Sequence, residues 1–583
     1  MLGISMYSRW LVICGCLLTL PALAVEADYV LRGGAVYTVD EARPWASAVA
    51  VAGKRIVYVG DDTGAADYIG PATEVIDAAG KMVLPGFIDS HVHPIWGGKT
   101  FTEVNLGEAG SAADVGGALR RYREANPGAR YITGGGWVRE NFGESSPRRE
   151  WIDAAVGDIP VLLHDHFGHT ALANSAALSL AGVDASTPDP AGGHFERDPR
   201  TGEPTGLIHE DAAIGLVADR IVRDPEAAYA NALKQALAYL NSNGITSFLT
   251  AYAVGDPLGQ AFVDLYERGE LSARTTLSFK VSGEVPVDAL IPALRKRRAE
   301  LERYDPAFIR ADRAKLFLDG VVLSHTAAML APYAGEFGAY DSEGYLFDGD
   351  QLRRYCAALN EADFGLHFHT VGDGAARQAL DAVAYLRENQ GELARRPTIS
   401  HLTVVSPRDY ARFATLGVVA NAQLFWGKHQ EIIARVEDYL GPRRKGHIYP
   451  YGSIARAGGT LAAGSDWPVS TANPFWAMAV AATRPYVGLN AGGDNPLAGW
   501  DPATDAAWLP EHRVDVATMI RAYTIEGARL QLRDDQVGSL EVGKLADLVV
   551  VDRNILDIPV AQLPRTRVLL TMVDGRIVYP RPR

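Results

Sequence analysis

The sequence predicts an α/β fold: a TIM-like (β/α)8 barrel, a small β-sandwich built from both chain ends, and an insertion after barrel strand 1. Three observations carry this. Short apolar strands alternate with amphipathic helical stretches through the middle of the 583-residue chain. Turn-punctuated strands open and close it. Histidine, lysine and aspartate residues interrupt several middle strands, mostly at their ends. Strands alternating with helices imply parallel βαβ units, whereas short strands between turns imply an antiparallel layer.

Residues 1–24 read as a secretory signal, with Arg9 as the positive region, Trp10–Leu20 as the apolar core and Ala22-Leu23-Ala24 as the cleavage site. The mature chain is then exported, periplasmic or secreted. Lipid anchoring at Cys16 is disfavoured because the apolar run before it is short and continues past it. Cleavage removes Cys14 and Cys16, leaving Cys356 and no internal disulfide. No later segment holds the roughly 18 uninterrupted apolar residues that a membrane span needs.

Strands follow at Tyr29–Leu31, Ala35–Val39, Ala48–Val51, Arg55–Gly60 and Glu74–Asp77, and the texture returns at Asp547–Asp552, Val568–Val573 and Arg576–Tyr579. The predicted sandwich therefore combines residues 25–84 with 535–583. Between them, residues 85–534 offer eight barrel strands: Phe87–His93, Thr246–Tyr252, Thr275–Val281, Ala314–Asp319, Gly365–Thr370, Thr398–Val404, Val418–Gln423 and Thr460–Asp466. Helical patterns such as Ala227–Asn241, Gln351–Ala362 and Asp373–Glu388 separate them. Tyr131–Gly134 and Pro160–Leu163 belong instead to an insertion at about 100–224, too long for an ordinary connection and suited to a substrate-binding wall.

Hydrophobic content of 48% with 22% charge is that of a globular protein. The net charge of −14, with no basic block, argues against nucleic acid or an anionic membrane surface as partner. A small-molecule substrate is expected, and a homo-oligomer stays open.

The chemistry gathers at strand ends, which in such barrels form the active-site face. His91 and His93 end the first strand on one side of it, since residues i and i+2 share a face. Lys315 lies in the apolar fourth strand, His369 ends the fifth, His401 lies in the sixth and Asp466 ends the eighth. Burying a lone ammonium is costly unless it is paired or chemically altered. Converging imidazoles and a carboxylate make a poor core but a good metal cage. His367 shares a strand face with His369, so spacing does not choose between them.

These motifs resemble the amidohydrolase superfamily, specifically its family 3, which includes enzymes like N-substituted formamide deformylase. The resemblance covers nearly all of the mature chain. It rests on Leu84-Pro-Gly-Phe-Ile-Asp-Ser-His-Val-His93, Leu178–Gly182, Pro190-Ala-Gly-Gly193 and Lys315-Leu-Phe-Leu-Asp-Gly320. His369-Thr-Val-Gly-Asp373, His401, Gly464-Ser-Asp-Trp-Pro-Val469 and Val537–Leu548 complete it.

The resemblance implies a metal-dependent barrel in which His91 and His93 hold one ion, while His369, preferred over His367, and His401 hold a second. Lys315 matches a lysine that becomes a bridging carbamate, and Asp466 a metal ligand that handles the proton of the attacking water. Hydrolysis of an amide, formamide or cyclic amide C–N bond follows. Zinc suits the imidazole-rich set; manganese, cobalt and iron also fit mixed N/O cages.

Trp137, His169, His325 and Trp467 are candidate substrate-binding residues, His169 through its match to the histidine of Gly168-His-Thr-Ala-Leu-Ala-Asn-Ser175. Two rivals remain. A mononuclear deaminase of the same superfamily needs a glutamate three residues after the fifth-strand histidine, where this chain has Gly372. A non-catalytic periplasmic binding protein needs none of the cage.

Overall fold

The computed structural model describes residues 26–143, 146–190, 192–221, 226–252, 258–335, 344–487, 495–501 and 504–580. The expected leader, with Cys14 and Cys16, lies outside them.

Eight parallel strands form the central sheet in strict chain order: Phe87–Val92, Ile245–Thr250, Arg274–Val281, Ile309–Phe317, Gly365–Thr370, Thr398–His401, Val419–Ala422 and Thr460–Ala463. All eight expected strands are present. They read as continuous apolar runs because both faces are covered, inside by barrel side chains and outside by helices. At the mouth the first and last strands meet: Asp466 N–H donates to the His91 carbonyl at 2.7 Å and His93 N–H to the Trp467 carbonyl at 2.9 Å. The expected intervening helices form at Glu226–Ser242, Gly349–Glu361 and Asp373–Gln390.

Both chain ends enter one hydrogen-bonded sheet. Its path runs through Arg576–Tyr579, Val568–Val573, Leu548–Val551, Met82–Pro85, Tyr29–Tyr37, Trp45–Ala52 and Arg55–Gly60, with Glu74–Asp77 beside the start of Tyr29–Tyr37. Leu31, Val49, Ile56, Val83, Leu548 and Met572 share one apolar cluster, so both ends pack over a common interior. The two short strands expected at Tyr29–Leu31 and Ala35–Val39 are one strand. Its register breaks between Arg32 and Val36, where Gly33 adopts φ 77°.

This sheet is tied to the barrel by a buried ion cluster. Arg274, at the start of the third barrel strand, reaches Asp547 at 2.7 Å and Asp574 at 3.0 Å. Asp547 belongs to the Val537–Leu548 motif, so that motif has a structural task in docking the terminal sheet.

The insertion has its own six-stranded sheet, which includes Ile132–Trp137, Val161–Asp165 and Pro204–His209. It carries two apolar clusters of its own and stands beside the barrel mouth.

Candidate metal centre and active site

A cavity of about 1230 Å³ opens at the C-terminal end of the barrel. His91, His93, Lys315, His369, His401 and Asp466 all line it. All six predicted metal-site residues therefore converge on one space. His367 does not line it, which separates two residues that strand parity leaves equivalent.

The tightest cluster is His91, His93 and Asp466, whose ligand atoms lie within 4.8 Å of one another. Asp466 Oδ1 is 3.2 Å from His91 Nε2 and 3.1 Å from His93 Nε2, and Oδ2 is 3.8 Å from His401 Nδ1. The His401 and His369 rings stand 4.4 Å apart. Lys315 is fully buried, its Nζ 5.2 Å from the Phe317 ring centroid.

The donor atoms are left free. His91 Nε2, His401 Nδ1, Asp466 Oδ1 and Lys315 Nζ are buried without a hydrogen-bond partner among the described residues. Buried polar atoms are ordinarily satisfied, and four orphans in one place call for an unfilled role. Imidazole nitrogens with carboxylate oxygen are the donor set of zinc and its neighbours. The residues fit a divalent metal.

Local backbone conformation aims these groups inward. His401 (φ 76°) and Asp466 (φ 56°) adopt left-handed backbone, costly for non-glycine residues and concentrated at functional sites. His401 N–H donates to Gln423 Oε1 at 2.8 Å, and Tyr451 Oη donates to the His401 carbonyl at 3.0 Å. Asp89 accepts from the backbone N–H of His91 at 3.1 Å and of Ser465 at 3.0 Å, joining the first strand to the loop that carries Asp466. Gly464 is required by space, because a Cβ there would sit 2.6 Å from that of His91.

Electrostatics favour metal-competent protonation states. Burial, reinforced by Lys315, lowers His91 to about 3 and holds His369 well below the usual imidazole range; burial and His369 do the same to His401. These rings are neutral at pH 7 and able to ligate. Burial pulls Lys315 down to about 7, so much of it is free amine near neutrality. Burial pushes Asp466 upward, but the adjacent His91 and His93 overcome this and hold it well below the usual carboxylate range.

The predicted substrate-binding residues divide. His169 and Trp467 line the cavity. His169 Nδ1 is 2.8 Å from Glu210 Oε2; burial opposes its charge, but Glu210 prevails and raises it to about 9. Trp467 packs 4.8 Å from Tyr239. Trp137 requires a correction, because it is buried in the insertion core with its indole N–H donating to the Leu163 carbonyl at 2.9 Å. Its glycine-rich neighbours Gly136 and Val138 reach the wall instead. His325 also stands off the cavity wall, packed 5.3 Å from Tyr333 and 4.5 Å from Tyr439.

Sequence reasoning missed Glu210, Asp89, Trp426 and Lys428. Asp89 lies within the first-strand motif and could have been flagged there. Glu210 and the aromatic-lysine run Phe425–Lys428 sit after strands, with no spacing that marks them.

A barrel with this cage at its mouth defines a metal-dependent hydrolase. The chain belongs to the amidohydrolase family, whose model matches residues 74–579. It is 31% identical over 575 residues to the Arabidopsis thaliana protein LONG AFTER FAR-RED 3, covering 96% of this chain and 93% of that one. It is 29% identical over 579 residues to N-substituted formamide deformylase of Arthrobacter pascens, covering 95% and 98%. Among solved structures, an uncharacterized metal-dependent hydrolase from Pyrococcus horikoshii shares the fold with a TM-score of 0.71 at 23% identity, covering 91% of this chain and 99% of that one. The chain is thus a metal-dependent hydrolase of the amidohydrolase family.

Proposed function

We propose that this enzyme hydrolyses the C–N bond of a small amide, formamide or cyclic amide, with Asp466 as proton shuttle. The carrying observation is the position of Asp466: its Oδ1 lies 3.2 and 3.1 Å from two imidazole nitrogens and makes no hydrogen bond of its own. The relative that acts on N-substituted formamides supports the same bond class.

His91 and His93 would hold one ion, His369 and His401 a second, with Lys315 and Asp466 completing the cage; zinc is favoured. Held by these residues, divalent ions would supply Lewis acidity and would lower the pKa of water from 15.7 to about 7. Lys315 in its free-amine form can add carbon dioxide, forming an N–C bond and releasing one proton, which converts a buried amine into an anionic oxygen ligand. Asp466 accepts the proton of the attacking water and delivers it to the leaving nitrogen. His169, held by Glu210, offers a cationic donor to the substrate carbonyl. Trp426 and Trp467 line the cavity and give the substrate body apolar surface to pack against.

The deaminase alternative is disfavoured at Gly372. A Cβ there would lie 1.9 Å from the Ala328 carbonyl, so no glutamate shuttle fits without moving the backbone.

The leader makes the working protein exported, which N-terminal sequencing of the mature chain tests. Elemental analysis of protein purified with bicarbonate tests the centre. About two ions per chain, with turnover of amides or formamides, is expected; about one ion, with turnover confined to aminopurine-type substrates, overturns the reading.

A further inference from the structure

We propose that Lys428 is the anion-recognition residue of this cavity, selecting amides that carry a carboxylate at the far end of an apolar or aromatic body. The identity of the reacting bond rests on the hydrolase reading above; the anion subsite rests on its own observations.

Lys428 follows the seventh barrel strand, on the active-site face. It is only 7% exposed and lines the cavity. Its Nζ stands 3.8 Å from the Phe425 ring centroid, and no acidic partner or hydrogen bond to it is found among the described residues. A buried ammonium is ordinarily paired. A cation–π contact offsets part of that cost but leaves the charge uncompensated. Burial alone brings Lys428 to about 8, so it still carries its proton at neutral pH.

Outside the metal cage, Lys428 is the only lysine or arginine among the described residues lining the cavity. The acids of the cavity wall are engaged elsewhere or exposed: Asp211 pairs with Lys280 at 2.5 Å, Asp466 lies against His91 and His93, and Glu108 is exposed.

Aromatic side chains lead along the wall from the cage toward the ammonium. The His401 ring stacks on Trp426 at 5.6 Å and 10°, and Phe425 stacks on Trp476 at 6.4 Å and 26°. Ile432, Ile433 and Val436 extend this surface. A ligand with its carbonyl at the cage would lay an apolar body along this shelf and end at Lys428. One ammonium balances one negative charge, which favours a carboxylate over a phosphate dianion, whose recognition calls for bidentate arginine or several donors.

Calorimetric titration of metal-loaded enzyme with 3-phenylpropanoate and its neutral partner 3-phenylpropanamide tests this. Wild type should bind the carboxylate at least tenfold more tightly than the amide. Lys428→Met should erase that gap with amide affinity unchanged, and Lys428→Arg should retain most of it. A gap that survives in Lys428→Met places the carboxylate on the metals and overturns the proposal. So does the absence of a gap in wild type, or equal weakening of both ligands with a lowered Tm, the signature of a lysine that only packs on Phe425. Turnover of an aryl formamide that bears a terminal carboxylate is measured in parallel. Its absence while the Lys428-dependent gap stands sinks the hydrolase reading and leaves the anion subsite intact.

Discussion

His367 Nε2 lies 3.0 Å from His91 Nδ1, and Ser400 Oγ is within 2.8 and 2.9 Å of both. This buried triangle holds the His91 ring by its inner nitrogen and leaves Nε2 facing Asp466. Partners of this kind set the tautomer and orientation of ligating imidazoles, and their loss weakens metal binding about tenfold to a hundredfold. His367→Gln should therefore lose metal at lower chelator concentration while keeping its secondary structure. Retention equal to wild type would remove His367 from any orienting role.

Asp466→Asn should fold and lose turnover. The amide preserves size but cannot accept the proton of the attacking water, a role worth roughly 10²–10⁴ in rate. Circular dichroism should match wild type, and turnover of the best formamide should fall by that factor. Near-normal hydrolysis would sink the shuttle.

Lys315→Ala should lower metal occupancy, because it removes the one group able to become a bridging carbamate. Short carboxylic acids such as formate or acetate should restore ions and activity by occupying the vacated space. Full occupancy without rescue would argue against a carbamate.

The barrel was legible because its eight strands are buried on both faces and appear as separate apolar runs, each bounded by turn residues. The cage was legible because imidazole, lysine and carboxylate at strand ends are poor core residues. Met82–Pro85 escaped notice as a strand, since it is short and only Gly86 separates it from the first barrel strand. Trp137 misled because a tryptophan after three glycines looks exposed, whereas the backbone turns it into the insertion core. Glu210 and Lys428 gain meaning only from partners far away in sequence, or from the lack of them, which no local pattern encodes.

Arg274 makes a mechanical prediction. It is buried between Asp547 and Asp574, and Asp574 also meets Lys54 at 3.0 Å. Arg274→Met leaves the buried Asp547 without its cationic partner and Asp574 with Lys54 alone, a class of change that costs about 3–5 kcal/mol. A lowered Tm or a separate early transition, as the terminal sheet detaches, should appear in calorimetry. An unchanged melting profile would show that the cluster does not hold the two parts together.

Stability should also depend on acid through His512, which does not line the cavity. Its ring is buried, with Nε2 2.9 Å from the Gly446 carbonyl and Nδ1 2.8 Å from Ser453 Oγ, an arrangement satisfied by the neutral Nε2–H tautomer. Burial lowers its pKa from 6.5 to about 4. The folded protein thus disfavours the proton that the unfolded chain takes up near 6.5. The stabilisation is complete above that value and lost as pH falls from about 6.5 through 4, amounting to roughly 3 kcal/mol. Tm measured across that window should fall more steeply in wild type than in His512→Gln, which carries no titrating ring. Parallel profiles for the two proteins would show that His512 contributes nothing to acid sensitivity and that its burial is relieved by local opening instead.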